Sequence, residues 1–317
     1  MMFRVGKKPT WQTYFFCLGL ALTLLTLGSQ FGGHIKGVSL LVHFTFHLAD
    51  LAGFGLVLAL GLRQWKSMLL MLMCLSLTLP ALWPLYGEST VKNPTGAYPL
   101  SIISANLLRD NPQADSALRY LEQSPADILI LTEVTGEWDQ RLKSLAGKYP
   151  YRFGLAREGY HGIFLLSRYP LLQAKLWWPG GYNCPAVYAE VKWAGDTFAV
   201  VGFHPPAPPR RRKTRIRDLQ FRALASRLAN IKHPLVVVGD FNLTSFHPTY
   251  QDFLQRLTLS DTRIGKGRQA SWPAWAGSFG LCLDHALVSS HWEVVRREVG
   301  PFIGSDHLPL ELEIQRK

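Results

Sequence analysis

The chain has few cysteines and no repeated or low-complexity segment. Its 317 residues include four cysteines, Cys17, Cys74, Cys184 and Cys282, whose spacing matches no zinc pattern and no dense disulfide framework. A small disulfide-stapled scaffold is therefore excluded. The spacing leaves open whether Cys184 and Cys282 pair, which would require an oxidising compartment.

Acidic residues are also scarce relative to basic ones. The chain has 22 Asp and Glu against 34 Lys and Arg, which gives a formal net charge of +12. This balance favours anionic partners, namely nucleic acid, phosphate esters or a membrane surface. The run Arg210–Arg217 holds six positive residues in eight. Contact with a substrate phosphate, contact with anionic lipid headgroups and a solvated loop leading into a helix are all open interpretations of this run.

Charge is missing altogether from two long segments near the N-terminus, Trp11–Ser29 and Ser67–Tyr86. Each is about 20 residues long, which is the length that crosses a ~30 Å hydrocarbon core. Between them, Gly37–Leu62 is mostly apolar but contains Asp50, which a spanning helix would have to place against other helices or near an interface. We predict that residues 1–90 form a membrane anchor with about three transmembrane helices, followed by a linker at 91–98.

The basic residues beside these segments predict an orientation. Arg4, Lys7 and Lys8 precede the first segment, and Arg63 and Lys66 lie between the second and third. With three spans both groups lie on one side, as the positive-inside rule requires. The chain is then a multi-pass protein of the inner (plasma) membrane with residues 99–317 on the extracytoplasmic side. If the middle segment does not span, the side reverses.

Residues 99–317 alternate between strand-like and helix-like segments. "LSIISANLL" and "DILILTEV" are buried-strand patterns, "DSALRYLEQ" and "RDLQFRALASRLANI" are amphipathic helices, and "VKWAGDTFAV" predicts a hairpin that turns at Gly195-Asp196. Strands that follow one another without helices also occur. We predict an α+β fold with sheets inside and helices outside.

Several predicted strands end in residues suited to metal or phosphate chemistry. They are Asn106, Glu133, His204, Asp240 with Asn242, Asp284 with His285, and Asp306 with His307. Each alone is typical of an ordinary turn, but so many in one domain indicate a site. Oxygen ligands such as Glu133, Asp306 and the Asn106 carbonyl suit Mg²⁺ or Mn²⁺ better than zinc. Hydrolysis of a phosphate ester is the chemistry that this set favours.

Seven segments resemble motifs of one family and follow its order. They are "SANLL", "LTEV", "LLSRYP", "GFHPP", "VVGDFNLT", "LDHALVS" and "GSDHLPL". Over Leu100–Ile314 the chain resembles the endonuclease/exonuclease/phosphatase superfamily, in particular bacterial members with an N-terminal helical membrane anchor. The resemblance implies a catalytic domain at 99–317 with a four-layer α/β sandwich, in which two central mixed sheets are flanked by helices.

The resemblance also implies roles for the acids and amides. Glu133 would bind the divalent metal with Asn106 beside it, and Asp306 would complete the metal side. Asp240 would orient or activate the attacking water. Asn242 would hold the phosphate.

The histidines carry the remaining implied roles. His307, oriented by Asp284, would act in acid/base chemistry or phosphate stabilisation, and His204 would contact the scissile phosphate or protonate the leaving group. In deoxyribonuclease-like members, the histidine at the position of His204 pairs with a glutamate on an earlier strand. The comparable segment here, "GYHGIFLLS", has no carboxylate, so His204 is expected to be held differently.

The sequence therefore predicts a membrane-anchored, Mg²⁺- or Mn²⁺-dependent phosphoric ester hydrolase. Its substrate could be nucleic acid, a phospholipid headgroup, as for a phospholipase or sphingomyelinase, or a soluble phosphate ester. The alternative is a catalytically idle domain that binds an anionic ligand at the membrane. A transporter function for the N-terminal helices is supported by Asp50 alone. The indoles of Trp272 and Trp275 are candidates for a substrate groove or a lipid interface.

Overall fold

A computed structural model describes residues 10–31, 39–87, 99–208 and 211–317, and the chain divides into two compact units, Met1–Pro84 and Leu85–Lys317. The predicted linker at 91–98 lies outside the described residues. So do Arg4, Lys7 and Lys8 of the orientation argument, and Arg210 of the basic run.

The first unit contains three apolar helices, α1 (Trp11–Gln30), α2 (Thr45–Gly61) and α3 (Trp65–Leu82). Together with the adjoining 3-10 turns at 41–44 and 83–85, all three are long and apolar enough to cross a membrane. The helix predicted between the two uncharged segments is therefore present. Three such helices indicate membrane association.

Small residues let these helices approach closely. A Cβ added at Gly19 of α1 or Gly55 of α2 would lie 2.9 Å and 2.7 Å, respectively, from atoms of Met71 on α3, so this methionine fills the space that both glycines leave. Asp50 lies on the exposed side of α2, six residues into the helix.

The second unit is built on twelve strands and four α-helices. The strands are β1 (Leu100–Asn106), β2 (Ile128–Thr132), β3 (Tyr151–Leu155), β4 (Ile163–Ser167), β5 (Leu171–Trp177), β6 (Ala186–Trp193), β7 (Asp196–Phe203), β8 (Leu235–Asp240), β9 (Ser260–Asp261), β10 (Asp284–Val288), β11 (Trp292–Val299) and β12 (Leu310–Arg316). The helices are α4 (Ala114–Gln123), α5 (Gly136–Arg141), α6 (Arg211–Leu228) and α7 (Pro248–Leu257).

The strands form two six-stranded mixed sheets, β11-β12-β1-β2-β4-β3 and β5-β6-β7-β8-β10-β9. Only β1 with β2 and β7 with β8 are parallel, and the other pairs are antiparallel. Each sheet therefore carries its parallel pair at the centre, and a parallel pair puts both carboxyl ends at the same edge.

Central strands such as β2 and β8 are buried on both faces, which explains their uninterrupted apolar runs. On β8, Val236 and Val238 pack in the core between the two sheets, whereas Val237 packs with α6 and α7. On β2, Ile130 faces the same inner core and Leu129 packs with α4 and α5. The order of layers is helix, sheet, sheet, helix, and the predicted four-layer sandwich is confirmed.

Two local features differ from the sequence-based prediction. Helix α7 was not predicted, although Tyr250, Phe253, Leu254 and Leu257 have helical spacing and Pro248 is a typical first residue. The hairpin between β6 and β7 turns one residue earlier than expected, at 194–195. Strand pairing continues to Trp193 and Asp196, and both turn residues have φ above +50°. Cys184 and Cys282, whose pairing the sequence left open, are both free and buried.

His285 shows how alternation along a strand separates neighbours. On β10 it faces the helix side, where its ring packs against Phe241 and Tyr250 and its Nε2 donates to the carbonyl of Leu243 over 2.9 Å. Its Nδ1 is buried without a hydrogen-bond partner among the described residues. A proton on Nδ1 would therefore be buried unpaired.

The surroundings of His285 keep its imidazole neutral in the folded chain. Burial lowers its pKa to about 4; nearby Asp261 acts in the opposite direction, while Arg263 and Arg297 add to the lowering. Because the folded pKa lies below the ordinary value of 6.5, the stabilisation is complete above pH 6.5 and is lost as the pH falls through 4. A shift of this size corresponds to about 3 kcal/mol.

Acidification from pH 6.5 to 4 should thus lower the free energy of unfolding of the second unit. Denaturation of the full chain in detergent, followed by tryptophan fluorescence at a series of pH values, measures this. The variant His285→Phe cannot take up the proton, so the stability difference between wild type and variant should shrink towards acid pH. Parallel pH profiles for the two proteins would contradict the assignment.

Candidate active site

Four strand ends from the two sheets meet in one place. The parallel pairs β1/β2 and β7/β8 end beside Asn106, Glu133, His204 and Asp240. Asn106, His204 and Asp240 continue the inward-facing rows of their strands, which further back are apolar and belong to the core between the sheets. The polar cluster therefore begins where the inter-sheet core ends.

Two residues reach the site through left-handed backbone. Strict alternation would send Glu133 to the helix side with Leu131, but its φ of 60° turns it towards Asn106. Asn242 follows Asp240 with a φ of 52°. This conformation costs L-residues roughly 1–2 kcal/mol, least for Asn, and such residues cluster at functional sites.

Gly239 explains the glycine before the aspartate in "VVVGDFN". Its φ is +150°, and an added Cβ would lie 2.2 Å from the carbonyl oxygen of Phe203 on the neighbouring strand. A side chain at this position would push β8 away from β7. The glycine thus allows the close approach that brings Asp240 beside His204.

Asn106 connects the two sheets. Its Nδ2 donates to Oε1 of Glu133 over 3.1 Å and to Oδ2 of Asp240 over 3.2 Å. Its Oδ1 accepts from the backbone N–H of Leu108 over 3.0 Å. In this arrangement the amide nitrogen, and not the carbonyl oxygen that the metal hypothesis invokes, faces the two carboxylates.

Asp240 is the centre of the cluster and is almost fully buried. Its Oδ2 lies 3.3 Å from Nε2 of His204 and 3.5 Å from Nε2 of His307, and its Oδ1 accepts from the backbone N–H of Asn242 over 2.9 Å. Burial by itself raises the pKa of this carboxyl, but the two imidazoles and the backbone donor outweigh it and hold the pKa below its usual value. Asp240 is therefore ionised.

His307 lies between two carboxylates. Its Nδ1 is 2.8 Å from Oδ2 of Asp284, and its Nε2 faces Asp240. Burial alone lowers the pKa of His307, yet the charges of Asp240 and Asp284 and the hydrogen bond to Asp284 raise it to about 10. The predicted pairing of Asp284 with His307 is present in the structure.

Asp240, Asp284 and His307 each offer one atom within 4.8 Å of the others, which is close enough to surround a metal ion. Both nitrogens of His307 are directed at carboxylates, Nδ1 at Asp284 and Nε2 at Asp240.

Sequence reasoning missed the residues that hold this trio in place. The Ser305 hydroxyl donates to the carbonyl of Asn106 over 2.7 Å and accepts from the backbone N–H of His307 over 3.1 Å. Arg297, fully buried on β11, donates to the carbonyl of Asp284 over 3.2 Å. The "SDH" segment indicated the histidine, but no local signal pointed to a contact between Asp284 on β10 and Arg297 on the next strand, which belongs to the other sheet.

Arg217 corrects part of the interpretation of the basic run. It is 1% exposed, and its guanidinium donates to the carbonyl of Asn242 over 3.0 Å and contacts His247 and Asp218. This arginine therefore supports the loop after β8 and is not available to lipid headgroups. The helical period of α6 could have identified it, because Gln220 lies three residues later on the same buried stripe.

His204 uses one ring nitrogen and leaves the other unpaired. Its Nε2 faces Asp240, whereas its Nδ1 is buried without a partner among the described residues. Burial lowers its pKa, but the hydrogen bond and charge of Asp240 raise the pKa overall. The ring of His161 lies close to that of His204, with centroids 6.1 Å apart. The segment expected to lack a carboxylate thus contributes an imidazole instead.

Asp306 is placed differently from the other predicted metal ligands. Its side chain is exposed and its Oδ2 accepts from the indole Nε1 of Trp272 over 3.1 Å. Its backbone carbonyl accepts from the N–H of Ala274. Its charge still acts on the neighbouring His307, so it lies at the rim of the cluster and not within it.

The residues present fit a hard divalent cation at Glu133. This carboxylate is 7% exposed, and its two oxygens accept from neutral donors only, the Asn106 amide and the backbone N–H of Arg109. No cationic side chain lies within 4 Å of it in the described part of the chain. A buried carboxylate with spare lone pairs and no cationic partner can accept a cation, and oxygen donors are what Mg²⁺ and Mn²⁺ prefer.

Comparison with known families gives one match. The model of the Endonuclease/Exonuclease/phosphatase family matches residues 100–307. Among curated protein sequences, none matches the chain significantly.

Solved structures share the fold at low sequence identity. D. rerio TDP2 complexed with a single-strand DNA product is similar with a TM-score of 0.56 and 17% identity, over 68% of this chain and 99% of that one. The human Nocturnin catalytic domain with bound sulfate has a TM-score of 0.58 and 20% identity, over 69% and 95%. A beta toxin from Staphylococcus aureus has a TM-score of 0.52 and 18% identity, over 69% and 100%.

The role of Arg217 generates a prediction. Arg217→Gln should lower the free energy of unfolding by about 1–3 kcal/mol, because it leaves the buried Asn242 carbonyl without its donor. Thermal unfolding of the full chain in detergent measures this. The matched control is Arg215→Gln, which removes an exposed charge from the same turn of α6 and should change stability little. Equal losses in the two variants would contradict the supporting role.

Proposed function

Because the chain belongs to the endonuclease/exonuclease/phosphatase family, we propose that it is a membrane-anchored phosphoesterase that hydrolyses a phosphate ester with water and a divalent cation, Mg²⁺ or Mn²⁺. The observation that carries the proposal is the buried Asp240 carboxylate, which receives Asn106, His204 and His307 from distant segments. Buried ion pairs contribute little to stability by themselves, so chemistry is the better reason for this convergence.

Glu133 would hold the cation, with Asn106 beside it and Asp306 on the metal side at the rim. The cation, when bound, would neutralise charge on the phosphoryl oxygens. The backbone N–H of Arg109 and the amide of Asn106 orient the Glu133 carboxylate. Because these donors are neutral, they fix the position of the carboxylate without competing with the proposed cation for its charge.

Asp240 would orient the attacking water and take up its proton. Asn242 would hold the phosphate; its Nδ2 donates to the carbonyl of Pro205 over 3.0 Å, which keeps the amide next to His204. His204 would contact the scissile phosphate or protonate the leaving oxygen, since its Nε2 lies on the Asp240 side of the cluster.

His307 would supply acid/base chemistry or positive charge near the phosphate, oriented by Asp284 at 2.8 Å. Its location between two carboxylates fixes the ring on both sides. Preorganised charge of this kind stabilises a phosphoryl transition state without reorganisation at the moment of reaction.

The proposed substrate is a phosphate ester of nucleic acid, a phospholipid headgroup or a soluble ester. Exposed aromatic residues near the rim favour the phospholipid class. Trp275 is 86% exposed and Phe279 is 72% exposed, both in the 3-10 segment that begins at Ala274 next to Asp306. Aromatic side chains exposed in this way are typical of contact with lipid.

We further propose that residues 99–317 lie on the extracytoplasmic side of the inner membrane, anchored through residues 1–90. The support is the number of spanning-length helices and the basic residues at the junction of α2 and α3, namely Arg63 between the helices and Lys66 in the first turn of α3. In right-side-out vesicles, added protease should remove the second unit while the helices remain; in inverted vesicles the second unit should be protected. Protection in the right-side-out vesicles would reverse the orientation.

Catalysis itself is tested by the full chain in detergent with bis(p-nitrophenyl) phosphate. Hydrolysis should require Mg²⁺ or Mn²⁺ and disappear with a chelator. Glu133→Ala and His307→Ala should each reduce the rate by on the order of 10²–10⁴, because they remove the proposed cation ligand and the imidazole at the phosphate.

The matched control is Glu137→Ala. Glu137 is exposed and pairs with Arg141 four residues later, close to Glu133 in sequence but outside the cluster. This variant should keep wild-type rates. If no ester, including DNA and lysophospholipid, is hydrolysed with either metal, the alternative of an idle anionic-ligand-binding domain is favoured.

A further inference from the structure

The far side of His204 faces a region that the proposed chemistry does not use. The two nitrogens of an imidazole diverge, so a ring whose Nε2 faces Asp240 directs Nδ1 away from it. His204 is 4% exposed, and this Nδ1 has no partner among the described residues. A buried polar atom of this kind normally has a hydrogen-bond partner, so it points to a ligand group on that side.

The ring of His161 lies close to His204, with centroids 6.1 Å apart, and belongs to a loop held just after the end of β2. The loop from Arg157 to Gly162 is held by two backbone hydrogen bonds, from the Arg157 N–H to the Val134 carbonyl over 2.9 Å and from the Val134 N–H to the Gly162 carbonyl over 3.3 Å. A Cβ at Gly162 would lie 1.9 Å from the Val134 carbonyl oxygen, so the loop lies directly against the residue that follows Glu133. The Nδ1 of His161 is likewise buried and unpartnered within the described part of the chain.

Two cations are placed near this loop. Lys213 lies two turns before Gln220 on the same face of α6, and Gln220 donates to the carbonyl of Cys184 over 2.9 Å, next to the Asn183 that binds Arg157. The positive charges of both residues act on His161. Arg157 is anchored by the carbonyl and side chain of Asn183. Neither cation has a carboxylate within 4 Å among residues 99–208 and 211–317, so their charge is not compensated there.

This combination suits an anion better than a metal ion. Two imidazoles with unpaired nitrogens could in principle bind a transition metal, but two uncompensated cations beside them repel it. Burial, together with those cations, lowers the pKa of His161 to about 4, so its neutral ring can donate one N–H to an anion at ordinary pH. Arg in particular presents several donors to phosphate oxygens.

We propose that Arg157, His161 and Lys213 bind a second phosphate group of the substrate, adjacent to the scissile phosphate at His204. The inference rests on the proposed phosphoesterase function and narrows its substrates to esters that carry two phosphates close together. Such a pair occurs in a nucleic-acid strand and in a phosphorylated lipid headgroup. The chemistry recognised is the same in both.

Equilibrium binding to the full chain in detergent, measured by calorimetry with a chelator present, tests this without requiring turnover. Two pairs of probes differ only in the second phosphate: a thymidine dinucleotide with and without a 5′-phosphate, and glycerophosphoinositol with and without a 4-phosphate. The added phosphate should raise affinity about tenfold in at least one pair, as expected for charge-assisted hydrogen bonds. The pair that gains identifies the source of the phosphate.

Arg157→Gln and Lys213→Gln should each remove most of this gain while affinity for the single-phosphate probe changes less than about twofold. Lys213 is at the partly exposed start of α6, so its replacement leaves the fold intact even if the Arg157 variant unfolds. The matched control is Arg222→Gln, nine residues later on the same helix, about 13 Å away and on its opposite face, which should keep the gain.

No gain in either pair, or a gain that survives Lys213→Gln, overturns the inference. The inference is also overturned if a variant weakens the binding of both probes of a pair equally, because the lost interaction would then be a general attraction for anions. Failure of the proposed function and failure of this inference give different results. A chain that hydrolyses no ester but shows the gain retains the second-phosphate site, and a chain that hydrolyses esters without the gain retains only the proposed function.

Discussion

The structure of the second unit depends on how one buried carboxylate, Asp240, is compensated. An isolated ionised carboxylate removed from water is strongly unfavourable. Here it is balanced by two imidazoles and an amide that come from the ends of β1 and β7 and from the loop before β12. These segments are separated by up to two hundred residues, so the charge can be buried only when both sheets are assembled. The packing of the two sheets therefore assembles the site and compensates this charge together.

Further charges support this arrangement from behind. Arg217 and Arg297 are both almost fully buried, and each donates to the backbone carbonyl of a site residue, Asn242 and Asp284 respectively. Each therefore fixes the backbone at a proposed site residue. Two left-handed residues, Glu133 and Asn242, turn their side chains at the strand ends. Their strain is tolerated because several hydrogen bonds on either side determine the conformation.

The cluster is asymmetric in charge. On the Glu133 side a buried carboxylate has only neutral donors, which suits a divalent cation. On the far side of His204, where the family resemblance leads one to expect a carboxylate, the chain has His161 with Arg157 and Lys213 nearby. In the proposed function, a cation at Glu133 and a second phosphate at Arg157, His161 and Lys213 would both help to orient the substrate around the scissile phosphate.

The sequence by itself determined the layered fold and the types of residue that form the site. Continuous apolar runs on β2 and β8 predict strands buried on both faces, the apolar helices of the first unit follow from their length and lack of charge, and polar residues at strand ends predict a cluster. The pairing of Asp284 with His307 was implied by the family resemblance. The spacing of Tyr250, Phe253, Leu254 and Leu257 is typical of helix α7, but the turn residues before it favour a loop.

Only the tertiary structure decided which polar atoms meet. It separated Asp284 from its neighbour His285 by the alternation of β10, directed the Asn106 nitrogen and not its oxygen at the acids, and placed Asp306 at the rim with Trp272. The tertiary structure also buries Arg217, although this residue belongs to the basic run. Local patterns encode which face of a strand or helix a residue occupies, because that depends on its own period. They do not encode which distant face lies opposite, because that depends on how the two sheets pack.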